Sequence, residues 1–229
     1  MLSEQYIWLF WSSAFLLPWG VMYGLYPQYR HAMLWASLFT MPLGLTEPLF
    51  VPEYWSPPSL FDLAINTGFD IESLIFCFGI GGIGCVLYNL ITKRQFQSVD
   101  DVEQLKPLHR HHYKALSAPF VSFPVVYFLF DWNPIYPGIL AMFIGAVANI
   151  LCRPDLKKKT WIGGVLFLLY YSVFLFGLEI TAPGYIERVW NLDALSGLFI
   201  AFMPVEELLF ASAFGMYWAG VYEHFTWHN

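Results

Sequence analysis

Seven apolar runs dominate this chain, and each is close to the roughly 20 residues an α-helix needs to cross a bilayer. They fall at about residues 6–26, 33–50, 72–92, 115–130, 135–152, 161–180 and 198–221. The fourth is the shortest. Hydrophobic residues make up 58% of the 229 and charged residues only 12%, more apolar surface than a soluble domain of this size can bury. The reading is an all-α polytopic membrane protein with seven transmembrane helices in one membrane domain over residues 1–229. Glu4 is the only early charge and no basic segment precedes the first run, which argues against a signal peptide. Cys77, Cys85 and Cys152 form neither a disulfide framework nor a CxxC metal site. The net charge of −6 comes without any basic patch suited to nucleic acid.

Lys and Arg set the expected orientation. Arg30 follows run 1; Lys93, Arg94, Lys106, Arg110 and Lys114 follow run 3; Arg153, Lys157, Lys158 and Lys159 follow run 5. Only Arg188 falls on the opposite side, a ten-to-one bias that puts the N-terminus outside and the C-terminus in the cytoplasm. The same alternation favours seven spans over six. It also places Glu47, Glu72, Asp131, Glu179 and Glu206 near the non-cytoplasmic face. Acidic residues that open a helix are favoured by its dipole, so ordinary interfacial helix starts are the plain alternative for Glu72 and Glu206.

Two stretches repeat each other and carry carboxyl groups at the start of an apolar run. They are Ile71-Glu72-Ser73-Leu74-Ile75-Phe76 and Val205-Glu206-Glu207-Leu208-Leu209-Phe210. Each Glu is followed sixteen residues later by Tyr (Tyr88, Tyr222) and preceded sixteen or seventeen residues earlier by Trp (Trp55, Trp190). Upstream, Gly44-Leu45-Thr46-Glu47 matches Gly177-Leu178-Glu179. Ionisable groups are costly in a bilayer and are retained for a function or a partner. Helices 1–3 therefore correspond to helices 5–7. This gives two parallel three-helix repeats, about 1–94 and 132–229, with a linker loop and helix at about 95–131. The predicted pseudo-twofold axis lies along the membrane normal, with the motif helices facing each other.

These residues resemble the membrane-integral lycopene cyclases, found as heterodimers of two small subunits or as fused chains in bacteria, archaea and fungi. The family motif is Pro-x-Glu-Glu-x-x-Phe at a helix start, present in both halves. Pro204-Val205-Glu206-Glu207-Leu208-Leu209-Phe210 matches the second copy, and Val189-Trp190-Asn191 and Tyr222-Glu223 also fit. The first copy departs: Asp70 replaces the Pro and Ser73 the second acid, while Glu72 is kept.

The resemblance implies an enzyme, an intramolecular lyase or isomerase of carotenoid biosynthesis that closes a ring on a lipophilic polyisoprenoid without redox change or cofactor. A proton adds to the terminal double bond, an internal double bond attacks the tertiary cation, and a base removes a proton. This chemistry needs a positioned acid, a dry slot, aromatic faces near the cation and a base. The expected catalytic residues are Glu206 as acid, Glu72 as its partner or base, and Glu207. Neighbours on a helix point about 100° apart, so Glu206 and Glu207 need not share one wall. Phe76, Phe210, Phe214, Tyr217, Trp190 and Glu47 are the expected substrate-lining residues, with rings able to stabilise a cation. The plain alternative for each ring is lipid contact or helix packing, and for Trp190 an interfacial position.

Other motifs carry less. Gly79-Ile80-Gly81-Gly82-Ile83-Gly84 fits GxGxxG but lies inside an apolar run, where small residues let helices approach closely. His109-Arg110-His111-His112 has no adjacent Cys or acid, so it reads as a basic loop at lipid head groups and no metal is expected. Asp100-Asp101-Val102-Glu103 is not a prenyl-diphosphate signature, and run 7 has no Lys for a retinal. Alternatives to a lycopene cyclase are a cyclase of a different isoprenoid lipid, a non-catalytic carotenoid- or lipid-binding protein, and a proton-coupled transporter. Membrane lipids are expected partners, nucleic acid is not, and a homo-oligomer is compatible with the sequence.

Overall fold

The computed structural model describes residues 3–228; Met1 and Asn229, the ends of the orientation argument and of the 1–229 domain, lie outside the described residues. The protein is mostly helical (78%). The α-helices are α1 (Ile7–Ala14), α2 (Leu16–Leu25), α3 (Arg30–Thr40), α4 (Leu63–Thr67), α5 (Ile71–Thr92), α6 (Asp101–Gln104), α7 (His112–Leu129), α8 (Ile135–Cys152), α9 (Lys157–Thr181), α10 (Tyr185–Val189) and α11 (Val205–Thr226). A two-stranded antiparallel hairpin, β1 (Phe199–Ile200) and β2 (Met203–Pro204), precedes α11. Among the described residues, three helices are long and apolar enough to cross a membrane by length and composition. They are Ile71–Thr92 (mean hydropathy 2.1), Ile135–Cys152 (2.0) and the stretch Pro154–Thr181 (1.9). They make the chain compatible with a membrane protein.

Proline explains two departures from the seven runs. The first run is split at Phe15 into α1 and α2. Pro18 has no N–H for the Ala14 carbonyl, so the ladder cannot continue through that turn. The second run is α-helical only to Thr40, then tightens into a 3₁₀ segment, Met41–Leu49, that contains Pro42 and Pro48. The seventh run was expected to be helical from 198. Instead the chain turns through Gly197 (φ 71°) and Ala201 (φ 58°), forms the hairpin, and enters α11 only after Pro204. The Val205 N–H donates to the Leu198 carbonyl (2.9 Å) and closes this entry.

The chain clusters into two compact units. One gathers the chain through Ile83, Asn133–Ile135 and Tyr170–Leu208; the other gathers Gly84–Trp132, Tyr136–Leu169 and the chain from Leu209. In the first unit, α2 and α3 lie against α5 at its glycines. A Cβ on Gly79 would meet the Phe15 Cβ at 2.7 Å, while Gly81 faces Thr40 and Gly82 faces Trp19 and Ser37. The Trp19 Nε1–H donates to Ser37 Oγ (2.8 Å) at this contact. The GxGxxG run is thus a packing surface.

In the second unit, α9 begins four residues before the expected span and takes Lys157–Lys159 into the helix. Lys159 is buried, bonded to Asn89 Oδ1 and paired with Glu223. A buried charge requires such compensation. Asn89 and Glu223 each directly follow the repeat tyrosines, Tyr88 and Tyr222.

Candidate active site

The first unit holds a group of carboxyl side chains whose polar atoms face inward. Glu72, Glu206 and Glu207 are 0%, 1% and 3% exposed, so none is an interfacial residue reaching water. Each stands in the first turn of a helix, Glu72 in α5 and the pair in α11.

Glu207 is the most heavily engaged. Its Oε1 accepts from the Tyr54 hydroxyl and from Trp190 Nε1–H (2.8 Å), and its Oε2 accepts from the Tyr171 hydroxyl (2.7 Å). The three donors come from the loop after the 3₁₀ segment, the end of α10, and α9. Burial, reinforced by the Glu207 carboxylate, pushes the Tyr54 hydroxyl well above its ordinary pKa and keeps it a phenol that donates.

Glu72 and Glu206 are held in the same manner. The Leu60 N–H donates to Glu72 Oε1 (2.7 Å), and the Ser196 N–H donates to Glu206 Oε1 (2.9 Å). Each donor lies in the segment that precedes its helix, ahead of α4 in one case and of the β1–β2 hairpin in the other. Among the described residues, Glu72 Oε2 is buried and has no hydrogen-bond partner. The two loops meet at a single antiparallel bridge between Trp55 and Trp190, with Ser56 N–H donating to Val189 O (2.8 Å) and Asn191 N–H to Tyr54 O (2.9 Å).

Ser73, the residue that breaks the first motif copy, is not left without a carboxyl neighbour. The Glu47 carboxyl, at the end of the 3₁₀ segment, has Ser73, Trp55, Asp70 and Glu72 as its polar neighbours. Gly44 lets that segment approach: a Cβ there would sit 2.8 Å from the Leu74 nitrogen and 2.9 Å from the Ser73 carbonyl oxygen. Asp70 caps α5, with its Oδ1 accepting the Ser73 N–H. Glu179 also has a local role, accepting the Gly184 N–H (2.6 Å).

The same unit holds a network of aromatic rings, three of which bond Glu207. Trp8 packs edge-on against Trp55 (4.7 Å) and tilts over Phe76 (5.5 Å). Phe76 also meets Phe15 (5.3 Å), Tyr171 (6.3 Å) and Phe174 (6.4 Å), and Trp55 lies 5.3 Å from Trp190. Of the expected site residues, Glu47, Glu72, Phe76, Trp190, Glu206 and Glu207 fall in this first unit. Phe210, Phe214 and Tyr217 belong to the second unit, where Phe210 and Phe214 stack (6.0 Å) and the Tyr217 hydroxyl donates to Leu116 O (2.6 Å).

Sequence reading missed Tyr54, Tyr171 and Trp8. Tyr54 stands next to the repeat tryptophan Trp55, which was the available signal. Nothing in the local pattern distinguishes Tyr171 from the other aromatics of its run.

These features define a helical protein, apolar enough in three helices for a membrane, with buried carboxyl groups set among aromatic rings. Residues 133–225, less than half of the chain, match the protein-family model described as Lycopene cyclase. The matched stretch includes Trp190, Tyr171, Glu206 and Glu207. No match was found among the curated proteins or among the solved structures.

Proposed function

We propose that this protein is an intramembrane carotenoid cyclase of the lycopene type. It performs a redox-neutral, proton-initiated ring closure on the end group of a linear polyisoprenoid. The observation that carries the reading is that the first unit buries three carboxyl groups, Glu72, Glu206 and Glu207, with Glu207 bonded to Tyr54, Tyr171 and Trp190. The family match supports cyclase chemistry in general.

Glu206 donates the proton to the terminal double bond, its carboxyl aimed by the Ser196 N–H. The new tertiary cation is attacked by an internal double bond, forming the ring C–C bond. Glu72 takes the proton lost from the ring, since its Oε2 has no competing hydrogen bond among the described residues. Glu207 accepts from three donors on both oxygens, the arrangement of a fixed acceptor rather than a proton donor. It supplies negative charge opposite the cation, a preorganised electrostatic role that needs no movement during reaction. General acid catalysis contributes about 10²–10⁴-fold, so the electrostatic term and the rings must supply the rest.

Glu47 completes the first motif copy in this account. It stands beside Trp55 and Ser73, while Glu207 stands beside Trp190. A carboxyl group thus accompanies each repeat tryptophan, although it comes from a different element in the first copy.

The seven-span architecture, with parallel repeats at about 1–94 and 132–229 around the linker at 95–131, belongs to the same proposal. The matched Leu60–Glu72 and Ser196–Glu206 bonds support it, as does Lys159 bonded to both Asn89 and Glu223. The orientation with the N-terminus outside, in a membrane whose lipids and carotenoids are the partners, is part of the same proposal.

Co-expression with a linear carotenoid, followed by pigment analysis, tests the function. Cyclic product in membranes containing this chain supports the reading. Unchanged pigment that co-purifies with the chain would identify a binding protein instead, and proton flux in vesicles without pigment change a transporter.

A further inference from the structure

The second unit carries a cluster that the ring-closing chemistry does not use. His109 ends its loop in a 3₁₀ turn, His112 opens α7, and Cys152 closes α8. The thiol lies 3.7 Å from His109 Nδ1 and 3.8 Å from His112 Nδ1, and all three ligand atoms fall within 4.8 Å of one another. Exposure is 7%, 4% and 5% for His109, His112 and Cys152. From these residues we infer a zinc-type metal site, Cys152 Sγ with His109 Nδ1 and His112 Nδ1.

The spacing fits. Zinc binds thiolate sulfur at about 2.3 Å and imidazole nitrogen at about 2.0–2.1 Å, so tetrahedral ligands S and N stand about 3.5–3.6 Å apart. Two imidazole nitrogens converge here on one sulfur, whereas a thiol has a single proton to donate. The outer surroundings also suit a metal. The other nitrogen of His109 lies 3.7 Å from Glu103 Oε1, an acidic neighbour on the outer side of the ring but beyond hydrogen-bond distance.

His224 lines the cluster from α11, its ring 4.2 Å from that of His112, and it is 0% exposed. Among the described residues, both His224 ring nitrogens and His112 Nε2 are buried without a hydrogen-bond partner. Such orphaned polar atoms call for a ligand or water. Arg153 follows Cys152, but its charge is directed to Asp155 (2.6 Å) and to the His228 carbonyl (2.7 Å). Binding would displace the Cys152 thiol proton to solvent and clip the start of α7 to the end of α8, a structural role compatible with any function of the first unit.

The test uses the full chain purified in detergent. Metal analysis as purified, then cobalt titration after chelation, should give one ion per chain. Cobalt should produce a thiolate charge-transfer band that zinc bleaches. The band should survive Cys77→Ser, vanish in Cys152→Ser, and need at least ten-fold more cobalt in His112→Ala. Zinc should also slow alkylation of Cys152 in the unaltered chain, a readout that needs no variant to fold. A folded chain that carries no zinc, gives no cobalt band and shows no protection of Cys152 would overturn the site and leave only thiol–imidazole hydrogen bonds. A band that persists in Cys152→Ser would overturn it equally.

Discussion

Tyr171→Phe isolates the contribution of the Glu207 anchor. The substitution removes one hydroxyl and keeps the ring that meets Phe76 and Phe174 (6.3 and 5.5 Å). The lost bond is the 2.7 Å donation to Glu207 Oε2; the other two donors both serve Oε1. A hydrogen bond to a charged group contributes about 1.5–3 kcal/mol. If Glu207 offsets the cation, most of that is felt in the transition state, and the cyclisation rate falls about 10- to 100-fold. Trp190→Phe, which removes the 2.8 Å donor to Oε1, should cost a comparable factor. Once Glu207→Gln is present, Tyr171→Phe should add little, because the two residues act as one unit. Initial rates of ring formation in membranes, normalised to the amount of chain, provide the assay. A Tyr171→Phe variant with unaltered rate would refute the electrostatic role of Glu207.

Further outcomes follow from the same geometry. Gly44→Ala should overpack the 3₁₀ segment against Ser73 and Leu74, costing about 1–3 kcal/mol and lowering Tm. Glu47→Gln should impair cyclisation while sparing expression, and Ser73→Glu in that background should restore part of it; no effect of Glu47→Gln would remove its role beside Trp55. Glu223→Leu removes the carboxylate partner of buried Lys159 and leaves it only the neutral Asn89 acceptor, so it should destabilise the second unit by about 3–5 kcal/mol and lower the onset of thermal aggregation. A reporter fused after residue 229 should read cytoplasmic and one near Ser59 outside; the reverse would invert the placement of the carboxyl groups.

Hydropathy made the all-α class and the long apolar helices α5, α8 and α9 legible, because a run of twenty apolar residues has few alternatives to a helix. It could not foresee the 3₁₀ segment at Met41–Leu49 or the hairpin before α11. Both depend on where prolines remove single donors and where Gly197 and Ala201 turn the chain. For the candidate site, the repeated motif pointed to Glu72, Glu206 and Glu207 and the spaced tryptophans to Trp190, and the first unit buries all four. Their partners were hidden for a physical reason. The Tyr54 and Tyr171 hydroxyls reach Glu207 across 153 and 36 residues of chain, distances over which local periodicity says nothing. The histidine loop shows the same limit. It read as a lipid-facing basic loop because no Cys or acid adjoins it, yet folding brings Cys152 to His109 and His112, and Glu103 faces His109. Lys159 was counted among loop cations, whereas Glu223, 64 residues away, lets it enter the helix buried.

Ring formation by Glu206→Gln, measured against the unaltered chain, bears most directly on the central claim. Gln preserves the size of the side chain and the oxygen that accepts the Ser196 N–H (2.9 Å), but it carries no acidic proton. Co-expressed with a linear carotenoid, the unaltered chain should yield cyclic pigment. Glu206→Gln, present in membranes at the same level, should lose nearly all of it, a loss of at least about 10²-fold for removal of a general acid. Full ring formation by well-expressed Glu206→Gln would contradict the account, because the initiating proton would then come from another group.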